Sequence, residues 1–143
     1  MRILVLNGPN INYLGIREPD IYGRETFADL LQLLREVAAQ EDVQIHQYQS
    51  NHEGDLVDQI QLAYGQVDGI VINPAAYTHS SIAILDALKA VGIPAVEVHI
   101  SDPMQREPFR HISYPGMACV KTIAGHGIRG YHEAILFLKD YLA

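Results

Sequence analysis

Short apolar runs of strand length alternate along the chain with stretches of helical period, and few folds accommodate that rhythm. Residues 2–6 are a continuous apolar run that stops at Asn7-Gly8-Pro9. Phe27, Leu30, Leu31, Leu34, Val37 and Ala38 then follow the i, i+3, i+4, i+7 spacing of an amphipathic helix, with Thr26 or Glu25 at its start. Val43 and Ile45 alternate with polar neighbours and predict a half-buried strand. Ser50-Asn51-His52-Glu53 has the spacing of a capping box and predicts a helix through Leu56, Val57, Ile60 and Ala63. Residues 69–72 read as a buried strand ended by Asn73-Pro74. A helix over 80–91 is closed by Gly92. Strands over 94–100 and 118–123 and a helix over 131–142 complete the series.

A strand wetted on one face alternates in polarity, whereas a solid Val/Ile run needs apolar cover on both faces. Strands of the second kind, each followed by a helix, imply an α/β fold with a parallel sheet and helices on both faces. Five such strands in 143 residues predict a single flavodoxin-like domain over 1–143, with strand order 2-1-3-4-5. An eight-stranded α/β barrel needs about 250 residues and is excluded by length. The 48% hydrophobic content supplies a core, yet no apolar run approaches the roughly 18 residues of a membrane span. The opening apolar run is also too short for a secretion signal. A formal charge of −7 argues against nucleic acid as partner, because such binding rests on a basic field. One cysteine, Cys119, cannot form an internal disulfide, which points to the reducing cytoplasm.

Ligands of open parallel sheets bind beyond the carboxyl ends of the strands, where the winding reverses. For this order the reversal lies between the first and third strands, and unusual residues gather on that edge. Asn7 and Asn10 follow strand one, Asn73 and His79 follow strand three, and Glu97, His99, Ile100 and Ser101 end strand four. A single Asn can simply terminate a strand through local hydrogen bonds. Glu97 and His99 are two apart, so they share one face of their strand. A carboxylate beside an imidazole in an apolar run is costly unless paired. The pair is either a satisfied structural contact or a histidine tuned for acid–base work.

The stretch 14–26 carries glycines at Gly15 and Gly23 and reads as a structureless active-site lid. Arg17 precedes Tyr22 by five residues. A tyrosine is a poor base at neutral pH, and a nearby arginine favours its phenolate, so the two together make a general base completed on closure. No metal-ligand spacing occurs (HExxH, HxH or CxxC), and no glycine-rich phosphate loop follows strand one, so no metal or cofactor is expected. Lys89 and Lys139 lie on helix patterns and Lys121 in strand five, so none is placed to form an imine with a substrate.

Several segments can be read together: Leu6-Asn7-Gly8-Pro9-Asn10-Ile11-Asn12, Leu14-Gly15-x-Arg17-Glu18-Pro19-x-x-Tyr22-Gly23, Gln49-Ser50-Asn51-His52-Glu53-Gly54, Ile72-Asn73-Pro74-x-Ala76-Tyr77-Thr78-His79, Glu97-Val98-His99-Ile100-Ser101 and Phe109-Arg110-His111-x-Ser113-Tyr114. In that order, over almost the whole chain, they resemble the type II 3-dehydroquinate dehydratases. The resemblance implies a flavodoxin-like, cofactor-free enzyme that interconverts 3-dehydroquinate and 3-dehydroshikimate by anti elimination through an enolate. It implies that Tyr22, aided by Arg17, takes the C2 proton, and that His99, held by Glu97, protonates the departing C1 hydroxyl. Asn10 with a water would stabilise the enolate oxygen. Asn73, His79, Ile100, Ser101 and Arg110 would contact substrate. Asp86 would reach the site of a neighbouring subunit, in trimers assembled into a homododecamer.

Three places depart from the family pattern. Leu85 stands where many members carry arginine, and the stretches 113–118 and 124–127 drift. Both stretches are expected to stay clear of the catalytic positions. A non-enzymatic binding module of the same fold is the competing reading. It gives no reason for the Arg17/Tyr22 and Glu97/His99 pairs to stand together.

Overall fold

The computed structural model describes residues Met1–Ala143. Five strands, β1 (Arg2–Asn7), β2 (Gln44–Gln49), β3 (Gly69–Asn73), β4 (Ala95–His99) and β5 (Lys121–Ala124), form one sheet in the order β2-β1-β3-β4-β5. Every pairing is parallel. The helices are α1 (Pro19–Tyr22), α2 (Phe27–Glu41), α3 (Glu53–Ala63), α4 (Ile82–Val91) and α5 (Arg129–Tyr141). The flavodoxin-like winding expected from the sequence is the one observed.

Side-chain alternation along the central strands divides the core in two. Ile3, Val5, Val71, Val96 and Val98 point to one face and pack under Leu30, Leu34 and Val37 of α2 and Ala134, Ile135 and Leu138 of α5. Leu4, Leu6, Ile70, Ile72 and Ala95 point to the other, under Leu56 and Ile60 of α3 and Ile84 and Leu88 of α4. Burying each such side chain is worth roughly 1.5–3 kcal/mol, so a one-residue slip in register would expose a whole face. Glu97 and His99 continue the series of Ala95 and therefore belong to the α3/α4 side. Asn7 and Asn73 continue the other series and belong to the α2/α5 side.

Local differences from the sequence reading have identifiable causes. The spacing at Ser50–Glu53 does not form a capping box. Ser50 Oγ donates to Asp55 Oδ2 at 2.7 Å and accepts from His52 N, leaving His52 as the N-cap without a side-chain bond. The true capping box is Thr26 with Asp29, whose side chain accepts from Thr26 N at 2.8 Å. Ser81, not Ser80, caps α4 by accepting from Ile84 N. Ala118, expected to start the fifth strand, instead ends a 3₁₀ turn over Pro115–Ala118, and β5 begins at Lys121. Stretch 14–26 is not structureless, because Pro19 occupies the first helical position and opens the single turn α1, which carries Tyr22. No helix is long and apolar enough to cross a membrane.

The carboxyl ends of β1 and β3 are locked together from α5. The fully buried Tyr131 hydroxyl donates to Asn7 Oδ1 at 2.6 Å and accepts from Asn73 Nδ2 at 2.9 Å. Asn73 Oδ1 in turn accepts from Ala75 N at 3.1 Å and supports that residue at φ 54°, a left-handed conformation uncommon for alanine. Gly8 is required beside them, since a Cβ there would lie 2.3 Å from the Pro74 carbonyl oxygen.

Candidate active site

Strand ends and the loops after them build a cleft at the carboxyl edge of the sheet. Asn10, Arg17, Tyr22, Asn73, His79, His99, Ile100, Ser101 and Arg110, nine of the residues expected from sequence, line it together with Arg106. Its position at the β1/β3 reversal is where a parallel sheet of this order leaves room for a ligand. A groove of about 420 Å³ at the opposite end, between the start of β2 and the end of α3, is roomier. It brings no acid–base pair together, so we place the chemistry in the smaller cleft.

Tyr22 sits at the end of α1, half-buried, with two cations on its phenolic oxygen. Arg17 Nη2 donates to it at 3.0 Å and Arg106 Nη1 at 2.6 Å. The Arg17 guanidinium also lies 4.1 Å from the ring centroid. Two charge-assisted donors therefore converge on one oxygen. Arg17 was foreseen from its spacing to Tyr22, whereas Arg106 was missed. It lies 84 residues from Tyr22 in an aperiodic polar loop, which no local pattern connects to the lid. The one available hint was two arginines, Arg106 and Arg110, close together just after a strand end in an acidic chain. His111 Nε2 donates to the Arg106 carbonyl at 3.0 Å, and Glu107 accepts from Arg110 Nε at 2.8 Å, so this loop is braced from within.

His99, at the end of β4, is backed by Glu97. Nε2 of the imidazole lies 3.1 Å from Glu97 Oε1, which orients the ring and leaves Nδ1 outside that contact. Glu97 is 1% exposed and does not line the cleft. Burial pushes its carboxyl up, but hydrogen bonds and charge from His99, with further donors on Ser113 and Thr122, outweigh that and hold it below the ordinary carboxylate range. The carboxylate is therefore charged and stands as a fixed negative charge behind the imidazole. Nearby, the Cys119 thiol is pushed up to about 12 by burial and by the Glu97 charge, so it stays protonated and inert.

Asn10 is in the left-handed region at φ 69°, where asparagine is tolerated best among non-glycine residues. Its backbone N–H donates to Asn51 Oδ1 at 3.1 Å, and Gln49 Nε2 donates to the Gly8 carbonyl at 3.2 Å, which ties the loop after β1 to the end of β2. His79 Nδ1 donates to the Ile112 carbonyl at 2.8 Å. Asp86 is exposed on the outer face of α4 and does not reach this cleft within one chain. The stretch 113–118, expected to stay clear of the site, does not. Ser113 Oγ donates to Glu97 Oε2, and a Cβ on Gly116 would stand 3.1 Å from Glu97 Oε1. Tyr131 and Asn7 were not foreseen as a pair, because 124 residues separate them.

Comparison with known proteins identifies the family. Residues 1–139 match the family model described as dehydroquinase class II. The chain is 50% identical over 143 residues to the 3-dehydroquinate dehydratase of Clostridium acetobutylicum, covering 100% of this chain and 99% of that one. It is 53% identical over 139 residues to that of Corynebacterium glutamicum, covering 97% and 96%. The crystal structure of type II dehydroquinase from Butyrivibrio crossotus superposes with a TM-score of 0.95 at 51% identity, covering 97% of each chain. The chain belongs to the class II dehydroquinase family.

Proposed function

We propose that the cleft dehydrates 3-dehydroquinate to 3-dehydroshikimate by anti elimination through an enolate, with Tyr22 as base and His99 as acid. The observation that carries this reading is the pair of polarised groups in one cleft. One is a phenol under two guanidinium donors, and the other is an imidazole backed by a buried carboxylate. The C2 proton of the substrate is acidified by its C3 carbonyl. Tyr22 removes it as the phenolate, and the electron pair moves onto the carbonyl oxygen. Asn10 faces the charge that develops there, an oxyanion-type role. Collapse of the enolate expels the C1 hydroxyl, and His99 supplies the proton that lets it leave as water. Electrons and protons balance without a redox partner or an imine.

Arg17, Arg106 and Arg110 give the cleft a positive lining in a chain of net charge −7, which suits the carboxylate of the substrate, and His79 lines it beside them. Asn73, Ile100, Ser101 and Arg110 hold its hydroxyls and carboxylate. In this reading Asp86 completes the cleft of a neighbouring copy, so the working particle is built from trimers, four of which make a homododecamer. Residues 1–143 act as one catalytic domain, and the single thiol Cys119 suits the cytoplasm. The test is growth of enone absorbance when the purified protein meets 3-dehydroquinate. Steady growth that Tyr22→Phe abolishes is expected, and no growth with folded wild-type protein would refute the reading.

A further inference from the structure

We propose that Ser113 is a positioning residue for the Glu97–His99 pair, acting from a segment that closes over the carboxylate. The inference rests on the reading of Glu97 and His99 given above and adds the layer behind them. Glu97 lies on the α3/α4 face of β4, where neither helix covers it. The segment 113–119 provides the cover. Its residues Ala118 and Cys119 pack against the core of that face, and α4 packs against its 3₁₀ turn.

Each carboxylate oxygen has its own donors. Oε1 faces His99 Nε2 at 3.1 Å and accepts from Thr122 Oγ1 at 3.3 Å. Oε2 accepts from Ser113 Oγ, which is itself oriented by accepting from Gly116 N at 3.0 Å. Gly116 has to lack a side chain for this contact, since a Cβ would stand 2.8 Å from Ser113 Oγ and 3.2 Å from Glu97 Oε2. The segment thus delivers one hydroxyl to one oxygen at close quarters. The titratable groups around Glu97 are His99 on its own strand and Cys119 from the covering segment, whose thiol is uncharged. Neighbouring strands present Ile72 of β3 and Thr122 of β5 at the same level.

A buried carboxylate that loses a donor becomes easier to protonate. Protonated Glu97 no longer stabilises the imidazolium that His99 needs as an acid. Activity should therefore fall on the acid side as Glu97 takes up its proton, and Ser113→Ala should move that fall to higher pH. A hydrogen bond to a charged group corresponds to a shift of about one unit, or tenfold in kcat at a pH on the limb. A residue that merely packs would lower the profile without moving it.

The experiment is a set of kcat–pH profiles on wild type, Ser113→Ala, Ser113→Thr, Thr122→Val and Glu97→Gln, with folding checked by circular dichroism. The expected result is an acid limb displaced upward in Ser113→Ala with KM little changed, kept near wild type in Ser113→Thr, and displaced less in Thr122→Val. A wild-type limb in folded Ser113→Ala overturns the proposal, as does equal displacement in Ser113→Ala and Ser113→Thr. Should Ser113→Ala fail to fold, Thr122→Val decides alone: an unmoved limb overturns the donor argument. Glu97→Gln separates the two levels. A wild-type limb there sinks the assignment of Glu97 itself, whereas a limb lost there but unmoved in Ser113→Ala sinks only the role of Ser113.

Discussion

Replacing Arg106 by methionine keeps most of the side-chain volume and removes one of the two cations on the Tyr22 oxygen. The Arg106 contact is the shorter of the two, 2.6 Å against 3.0 Å for Arg17, and its side chain is 14% exposed, so water screens it weakly. A charge-assisted hydrogen bond of this kind contributes about 1.5–3 kcal/mol. The base works as an oxyanion, so the loss falls on the transition state for proton removal. At 1.36 kcal/mol per tenfold, kcat should drop roughly 10- to 150-fold. Arg17→Met should fall at the lower end of that range. The loss in either variant should appear in kcat with KM little changed, and Tyr22→Phe, lacking the oxygen, should lose more than either. The assay is initial rates of enone formation over a pH series, analysed for kcat and KM separately. If Arg106→Met raises KM at unchanged kcat, Arg106 binds substrate and the two-cation argument is wrong.

His99→Ala should fold normally and lose about 10²- to 10⁴-fold in kcat, since the hydroxyl must then leave as hydroxide. Wild-type turnover in that variant would remove His99 from the mechanism. Borohydride added with substrate should leave activity intact. Lys89 is exposed on α4, Lys121 lies over the Phe137 ring and Lys139 Nζ bonds the Glu41 carbonyl, all away from the cleft. A reduced adduct on any of them by mass spectrometry would contradict the enolate route. Tyr131→Phe should destabilise the fold by about 3 kcal/mol, or roughly 10 °C in Tm at this length, because Asn7 Oδ1 and Asn73 Nδ2 are left buried without a partner. A Tm within about 2 °C of wild type would mean those amides find other partners.

The strands were legible because a run such as Ile70-Val71-Ile72 can be buried only between two layers, and α2 because its apolar period matches 3.6 residues. The order of strands followed from the same pattern. Half of the candidate site was equally open, since Glu97 and His99 share a face by alternation and Arg17 reaches Tyr22 within one turn of chain. What stayed hidden has no local signature. Arg106 and Ser113 act from irregular connections between short 3₁₀ turns, where side-chain directions follow no period. Ser50 imitated a capping residue, and only the presence of Asp55 within its reach decided otherwise. Tyr131 stands in the sequence only as the first residue of the helix expected over 131–142.

That tyrosine also sets when the cleft comes into being. Its hydroxyl ties Asn7 to α5 across 124 residues of sequence and Asn73 across 58. During synthesis β1 emerges before α5, so although its backbone can pair with β2 and β3, the Asn7 side chain has no hydroxyl to accept from until α5 has been made and docked. Bringing such distant points together carries the loop-closure cost of nearly the whole chain, and that cost is met only when the sheet is already paired. The floor of the cleft is therefore among the final parts to be ordered. A nascent or locally unravelled chain carries the reacting side chains without the geometry that makes them act.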